Sequence, residues 1–128
     1  MLVAGGSSIL AGDAPPGTPG WLSNLADDKL TRSYRLKNCS LSGSGLAVKG
    51  AHIIDPRTGA PAQRTNRAWA LALSAAESDA LSTACMVLDE AMIPEVVANL
   101  SGSLVWLLDG NEWKEFGKLD ATRITAVE

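Results

Sequence analysis

Long apolar runs are missing from this 128-residue chain. No stretch reaches the roughly 18 to 20 apolar residues that a membrane-crossing helix needs, so nothing in it reads as a helical span. Basic runs are missing too. Eleven Lys and Arg stand against fourteen Asp and Glu, for a net charge of −3. Without a basic cluster, neither nucleic acid nor an anionic membrane surface has an electrostatic footprint to meet. Aromatics are scarce at 5%, and the one run that contains several, Trp106 to Phe116, is interleaved with acids rather than arginines. That argues against a stacking platform for single strands. Cys39 and Cys85 have no metal-type spacing and are too few for a disulfide framework. The opening "MLVAGGSSILAG" is too short, too glycine-rich and too uncharged for a secretory signal. G-x-S-x-G, H-E-x-x-H, Walker and paired C-x-x-C motifs are also absent.

What is present suits one domain with a real core: 46% of residues are hydrophobic and 20% charged. "MLVAGG" reads as a short buried strand ending in a glycine turn. Residues 11–20, "AGDAPPGTPG", read as a flexible loop, since adjacent prolines and repeated glycines hold neither helix nor sheet. "DKLTRSYRLKN" reads as a strand with Leu30, Tyr34 and Leu36 as its apolar residues. "SLSGSG", 40–45, is small and polar, suited to bringing backbone close to a ligand or another strand. "RAWALALS" is the clearest strand, with Trp69, Leu71 and Leu73 on one face and alanines on the other. The clearest helix follows. Ser74-Ala75-Ala76-Glu77 is a capping box, and Leu81, Ala84, Cys85 and Leu88 recur at helical spacing as its buried stripe. Pro94 suits the first turn of a second helix, "PEVVANL". "SLVWLLDGNEWKEF" reads as a hairpin turning at "DGNE", followed by a tail, together about residues 103–128. Strands and helices mix without a regular repeat, so the fold class is α+β, a mixed sheet with packed helices.

Two features point toward chemistry. The only histidine, His52, opens "HIIDPRTGAPA", where Asp, Pro and Gly specify a tight turn. One reading is a strand entering a turn; the other is a titratable imidazole at the mouth of a stiff loop. On the capped helix, Asp79 and Thr83 stand four residues apart, on one face and roughly opposite the apolar stripe. A carboxylate and a hydroxyl are hard donors that suit Mg²⁺ when phosphates and waters complete the shell. The plain alternative is a solvated face, with Asp favoured near the N-terminal end of a helix by its dipole.

Taken in order, these motifs resemble the FAD:protein FMN transferases, the ApbE type. "HIIDPRTGAPA" looks like that family's signature, and "SDALSTACMVL" looks like its D-A-L-x-T helix, with Asp79 and Thr83 in the matching places. "AGGSSILAG", Trp21 and "LKNCSLSGSG" follow the family's glycine turn, tryptophan-led strand and small-residue stretch in the same order. The likeness runs from residue 1 to about residue 108. It implies an enzyme that cleaves the FAD pyrophosphate with Mg²⁺, attaches FMN to a threonine or serine hydroxyl of a target protein, and releases AMP; some members instead hydrolyse FAD. It implies Asp79 and Thr83 as metal ligands, with a backbone carbonyl near Ser82 as a third donor. His52 would be the base, Asp55 and Thr58 would shape the loop beside the phosphates, and Ser44 and Gly45 would bring backbone close to the cofactor. The family is usually exported, periplasmic or lipid-anchored.

The sequence departs from the family in three ways. Members are longer, and a glycine- and lysine-containing stretch that packs on the flavin has no counterpart here, so the resemblance implies an incomplete, C-terminal part of the full fold that needs a missing N-terminal half or companion chain. The glycine turn reads Gly5-Gly6-Ser7, without the family's aspartate. Only "LAVKGA" separates the small-residue stretch from His52. Three readings follow: a flavin transferase portion, a non-catalytic flavin- or nucleotide-binding homologue, and a structural remnant.

Overall fold

A computed structural model describes residues 1–45, 53–62 and 65–128. Among these, β1 (Leu2–Ala4), β2 (Ser8–Ala11), β5 (Cys39–Gly45), β6 (Arg67–Ala72), β7 (Leu104–Asp109) and β8 (Glu112–Gly117) form a six-stranded sheet in the order β1-β2-β5-β6-β7-β8. A second sheet has the order β3-β4-β9, from β3 (Trp21–Ala26), β4 (Thr31–Leu36) and β9 (Ile124–Val127). Each pairing is antiparallel. Helices α1 (Ala75–Val87) and α2 (Ile93–Asn99), joined through a 3-10 turn at Glu90–Met92, complete the α+β fold.

The large sheet lies in the middle of three layers, and the alternation of β6 shows why. Trp69 and Leu71 point to one side, where they join Leu104, Trp106 and Leu108 of β7 and meet Leu25, Tyr34, Leu36 and Ile124 of the small sheet. Ala68 and Ala70 point to the other, where they join Val105 and Leu107 beneath Leu81, Cys85, Met86, Ile93 and Val97 of the helices. Alanine on that side lets α1 approach closely, while each large side chain buried against it contributes about 1.5–3 kcal/mol. The two cysteines fall in different layers, Cys39 toward the small sheet and Cys85 beneath the helix.

Several local expectations hold. Ser74 caps α1, its Oγ accepting from the Glu77 N–H at 3.2 Å. Its hydroxyl also stands 3.0 Å from Glu77 Oε2. Pro94 lies in the first turn of α2. The β7–β8 hairpin turns at Gly110 with φ of 60°, the backbone that a primed hairpin turn requires at its first central position.

Other expectations are corrected. β1 is a strand but an exposed one: Leu2 and Val3 are 64% and 53% accessible, because β1 is the outer strand of the sheet. "SLSGSG", read only as a small polar stretch, is most of β5, which with β6 forms the central pair of the six-stranded sheet. Leu73 lies beyond the end of β6 and is exposed. The tail after the hairpin is pinned by β9, which pairs with β4 from Ser33↔Val127 to Leu36↔Ile124.

Candidate functional site

The stripe expected on α1 is only half of its buried face. Leu81 and Cys85 are buried, Ala84 and Leu88 only partly, and Ser78, Ser82 and Met86 are buried beside them. The serines answer a period-two row on β5. Ser40, Ser42 and Ser44 share the face of that strand that looks toward α1. Ser78 Oγ lies 2.9 Å from Ser40 Oγ and 3.0 Å from Ser42 Oγ. One turn on, Ser44 Oγ lies 2.9 Å from Ser82 Oγ and 3.2 Å from Thr83 Oγ1. Ser82 also donates to the Asp79 carbonyl at 3.1 Å. The hydroxyl row runs from a sealed interior, where Ser40, Ser42 and Ser78 are fully buried, to an open edge at Thr83. Burying hydroxyls costs free energy unless each finds a partner, and here they partner one another.

The row ends in a cleft of about 470 Å³. Its floor is the end of β5, where Gly43, Ser44 and Gly45 extend past the short strand β2 and meet the Gly5-Gly6-Ser7 turn. Asp79 and Thr83 of α1 form one wall; Arg67 and Trp69 of β6, with Asn24 and Ala26 of β3, form the other. The glycines let β6 side chains pack closely over β5. A Cβ at Gly43 would stand 2.9 Å from the Trp69 ring, and one at Gly45 would stand 3.1 Å from Arg67 Cγ and 3.2 Å from its Nε. The Gly43 N–H donates to the Ser7 carbonyl at 2.8 Å, fastening the turn to the cleft floor.

Four of the residues singled out from sequence therefore share one cavity: Ser44, Gly45, Asp79 and Thr83. Asp79 and Thr83 are exposed on the cleft side of α1, and their hard oxygens fit a Mg²⁺ ion whose remaining donors come from phosphate and water. Among the described residues no cluster of three or more His, Cys, Asp or Glu side chains forms a protein-only metal cage. Asp55 and Thr58 lie elsewhere, in the turn bridged by Ile54 and Pro61. The Asp55 carboxylate accepts from the Arg57 backbone N–H at 2.9 Å and from its guanidinium at 3.1 and 2.9 Å. Those hydrogen bonds hold its carboxyl below the usual range. Arg57 Nη2 also donates to the Val87 carbonyl at 2.7 Å, docking the turn on the C-terminal end of α1. Thr58 Oγ1 accepts from the Ala60 N–H at 3.2 Å. His52 lies outside the described residues.

Reading by motif missed Arg67 and Trp69 as cleft residues. Their alternation on β6 and their register opposite the small residues, Gly43↔Trp69 and Gly45↔Arg67, is the signal that finds them.

The ApbE family matches residues 1–107. The chain belongs to that family. Its architecture agrees with solved ApbE structures: the flavin transferase ApbE from Vibrio cholerae superposes with a TM-score of 0.64 at 23% identity over 88% of this chain and 40% of that one. A histidine-to-glycine variant of the same enzyme gives 0.68, again at 23% identity, over 89% of this chain and 37% of that one. The chain thus spans well under half the length of these ApbE structures. No curated protein matches it. Among the described residues no helix is long and apolar enough to cross a membrane.

Proposed function

We propose that this chain supplies the Mg²⁺-dependent half of a flavin transferase site, in which FMN passes from FAD to a threonine or serine hydroxyl of a target protein. The observation that carries this reading is the convergence of Ser44, Gly45, Asp79 and Thr83, from a strand and a helix, on one cleft. Membership of the ApbE family over residues 1–107 supports this reading. The acceptor hydroxyl oxygen forms a bond to the FMN-side phosphorus as the pyrophosphate P–O bond breaks; AMP leaves with that bonding pair, and the hydroxyl proton passes to a base. His52 is the candidate base, because an imidazole titrates near neutral pH. Mg²⁺ held by Asp79 and Thr83 would neutralise pyrophosphate charge and align the leaving group. Ser44 orients Thr83, and the bare backbone at Gly45 admits the nucleotide closely. Asp55 and Thr58 act at one remove, by stiffening the segment that follows His52.

A second reading has one specific observation behind it. The Gly5-Gly6-Ser7 turn lines the cleft with a serine in place of an acid, which favours a homologue that binds flavin without transferring it. The test for both is a titration of the protein with FAD, with and without Mg²⁺, followed by flavin fluorescence and then by incubation with a threonine-bearing acceptor. Binding strengthened by Mg²⁺ with AMP release supports the transferase; binding without AMP supports the homologue. No binding at high micromolar FAD means that this chain by itself lacks a usable flavin site, through loss of the site or for want of its missing half.

A further inference from the structure

Arg67 is the one Lys or Arg among the described residues that line the cleft. Its Nε is buried and has no hydrogen-bond partner, and none of the ion pairs among the described residues involves it. Its guanidinium carbon stands 5.1 Å from the Trp69 ring centroid. Its stem crosses Gly45, where a Cβ would stand 3.1 Å from Arg67 Cγ and press the stem aside by a few tenths of an ångström. Asp27 feels its charge through space, but that carboxylate is already engaged by the backbone N–H groups of Lys29 and Leu30 at 2.8 and 2.7 Å. A guanidinium held by an aromatic face on one side and bare glycine on the other, with donors left over, is arranged for an anion.

We propose that Arg67 is the cleft's oxyanion anchor and that it holds the pyrophosphate of a dinucleotide. This rests on the reading of the cleft as a flavin-nucleotide site. Charge supports it. A pyrophosphate diester carries two negative charges and Asp79 adds a third. A divalent cation offsets only two of these, and Arg67 supplies the balance. Its fork can also take two oxygens at once, which fixes orientation as well as charge. Trp69, stacked on Trp113 at 5.2 Å between centroids, backs the guanidinium and limits its rotation.

The test compares Arg67→Gln and Arg67→Lys with the parent protein, in Mg²⁺, against three probes: FAD, riboflavin and inorganic pyrophosphate. Flavin fluorescence reads the first two and tryptophan fluorescence the third. Arg67→Gln is expected to weaken FAD and pyrophosphate by about tenfold or more, the usual consequence of losing a charged hydrogen bond, and to leave riboflavin unchanged. Arg67→Lys should recover part of the loss. Arg67→Met, which keeps the length and packing of the stem without the guanidinium, should reproduce the Gln phenotype if Arg67→Gln proves poorly folded. FAD affinity unchanged in Arg67→Gln overturns the anchor while leaving the flavin site standing. Equal weakening of FAD and riboflavin makes Arg67 a packing residue and overturns it as well. Pyrophosphate binding that depends on Arg67, in a protein that ignores FAD, keeps the anchor and removes the flavin reading. Binding of neither by the parent removes both.

Discussion

Ser44 Oγ lies 3.2 Å from Thr83 Oγ1, so a strand hydroxyl braces a helix hydroxyl at the wall of the cleft. The same oxygen is 2.9 Å from Ser82 Oγ, which places Ser44 between packing and site. Ser44→Ala should lower stability by about 1 kcal/mol, the net worth of a typical internal hydrogen bond. It should also reduce the enhancement of FAD binding by Mg²⁺, because Thr83 loses its orienting partner. Thermal melts and Mg²⁺ titrations check the two effects separately. A melting shift with an unaltered Mg²⁺ response would make Ser44 a packing residue only.

Asp79 makes the opposite prediction. It is exposed, and none of the ion pairs among the described residues involves it. Asp79→Asn should change stability by less than about 0.5 kcal/mol, as expected for surface substitutions, yet abolish the Mg²⁺ dependence of FAD binding. An unchanged Mg²⁺ dependence would return Asp79 to the role of a solvated acid near a helix N-terminus.

Ser78 is the hub of the buried row, joining Ser40 and Ser42 and lying 3.1 Å from the Ala75 carbonyl. Ser78→Ala removes a partner that both strand serines use, in a region sealed from water. A loss of about 1–3 kcal/mol is expected in urea denaturation, since unsatisfied buried groups bear their full desolvation cost. The Ser42→Ala/Ser78→Ala pair should be less destabilised than the sum of the singles, a coupling that a double-mutant cycle measures directly.

Cys39 is buried against the small sheet, and burial pushes its thiol up to about 11. The folded state thus favours the protonated form. Its contribution to stability is complete below about pH 9, the ordinary thiol value in the unfolded chain, and is lost as pH rises toward 11. At pH 8, native protein should leave Cys39 unmodified by iodoacetamide while urea-unfolded protein is alkylated rapidly. Mass mapping of the labelled residue tells the two apart, and rapid native labelling of Cys39 would contradict its burial.

How much of this was written in the sequence depends on which physical signal each segment carries. β6, α1 and the β7–β8 hairpin announce themselves because apolar periodicity and turn chemistry agree. β5 does not, because its face toward α1 is made of serines and its other face ends in two glycines, so apolar alternation does not mark it. The same blindness hid Ser78 and Ser82, although Ser40, Ser42 and Ser44 alternate at the strand period and the helix serines sit four apart. β1 was misjudged in the other direction: an apolar strand need not be covered when it lies at a sheet edge. Of the candidate site, Asp79, Thr83, Ser44 and Gly45 were legible by motif and now share a cleft. Arg67 and Trp69 were not, because they belong to the site only through cross-strand register.

β9 lies wholly beyond the family-matched residues 1–107, and so does β8. Yet β9 covers the free side of β4, and β8 carries Trp113 onto Trp69 and Glu115 onto the indole N–H of Trp106 at 2.7 Å. A version trimmed at the family boundary would leave two adhesive strand edges bare, one in each sheet, and would strip the support from behind Trp69. Such a protein would be prone to self-association, and its failure to bind flavin would say nothing about the cleft. Any minimal version has to be drawn around the hydrogen-bonded sheets rather than around the recognisable motifs.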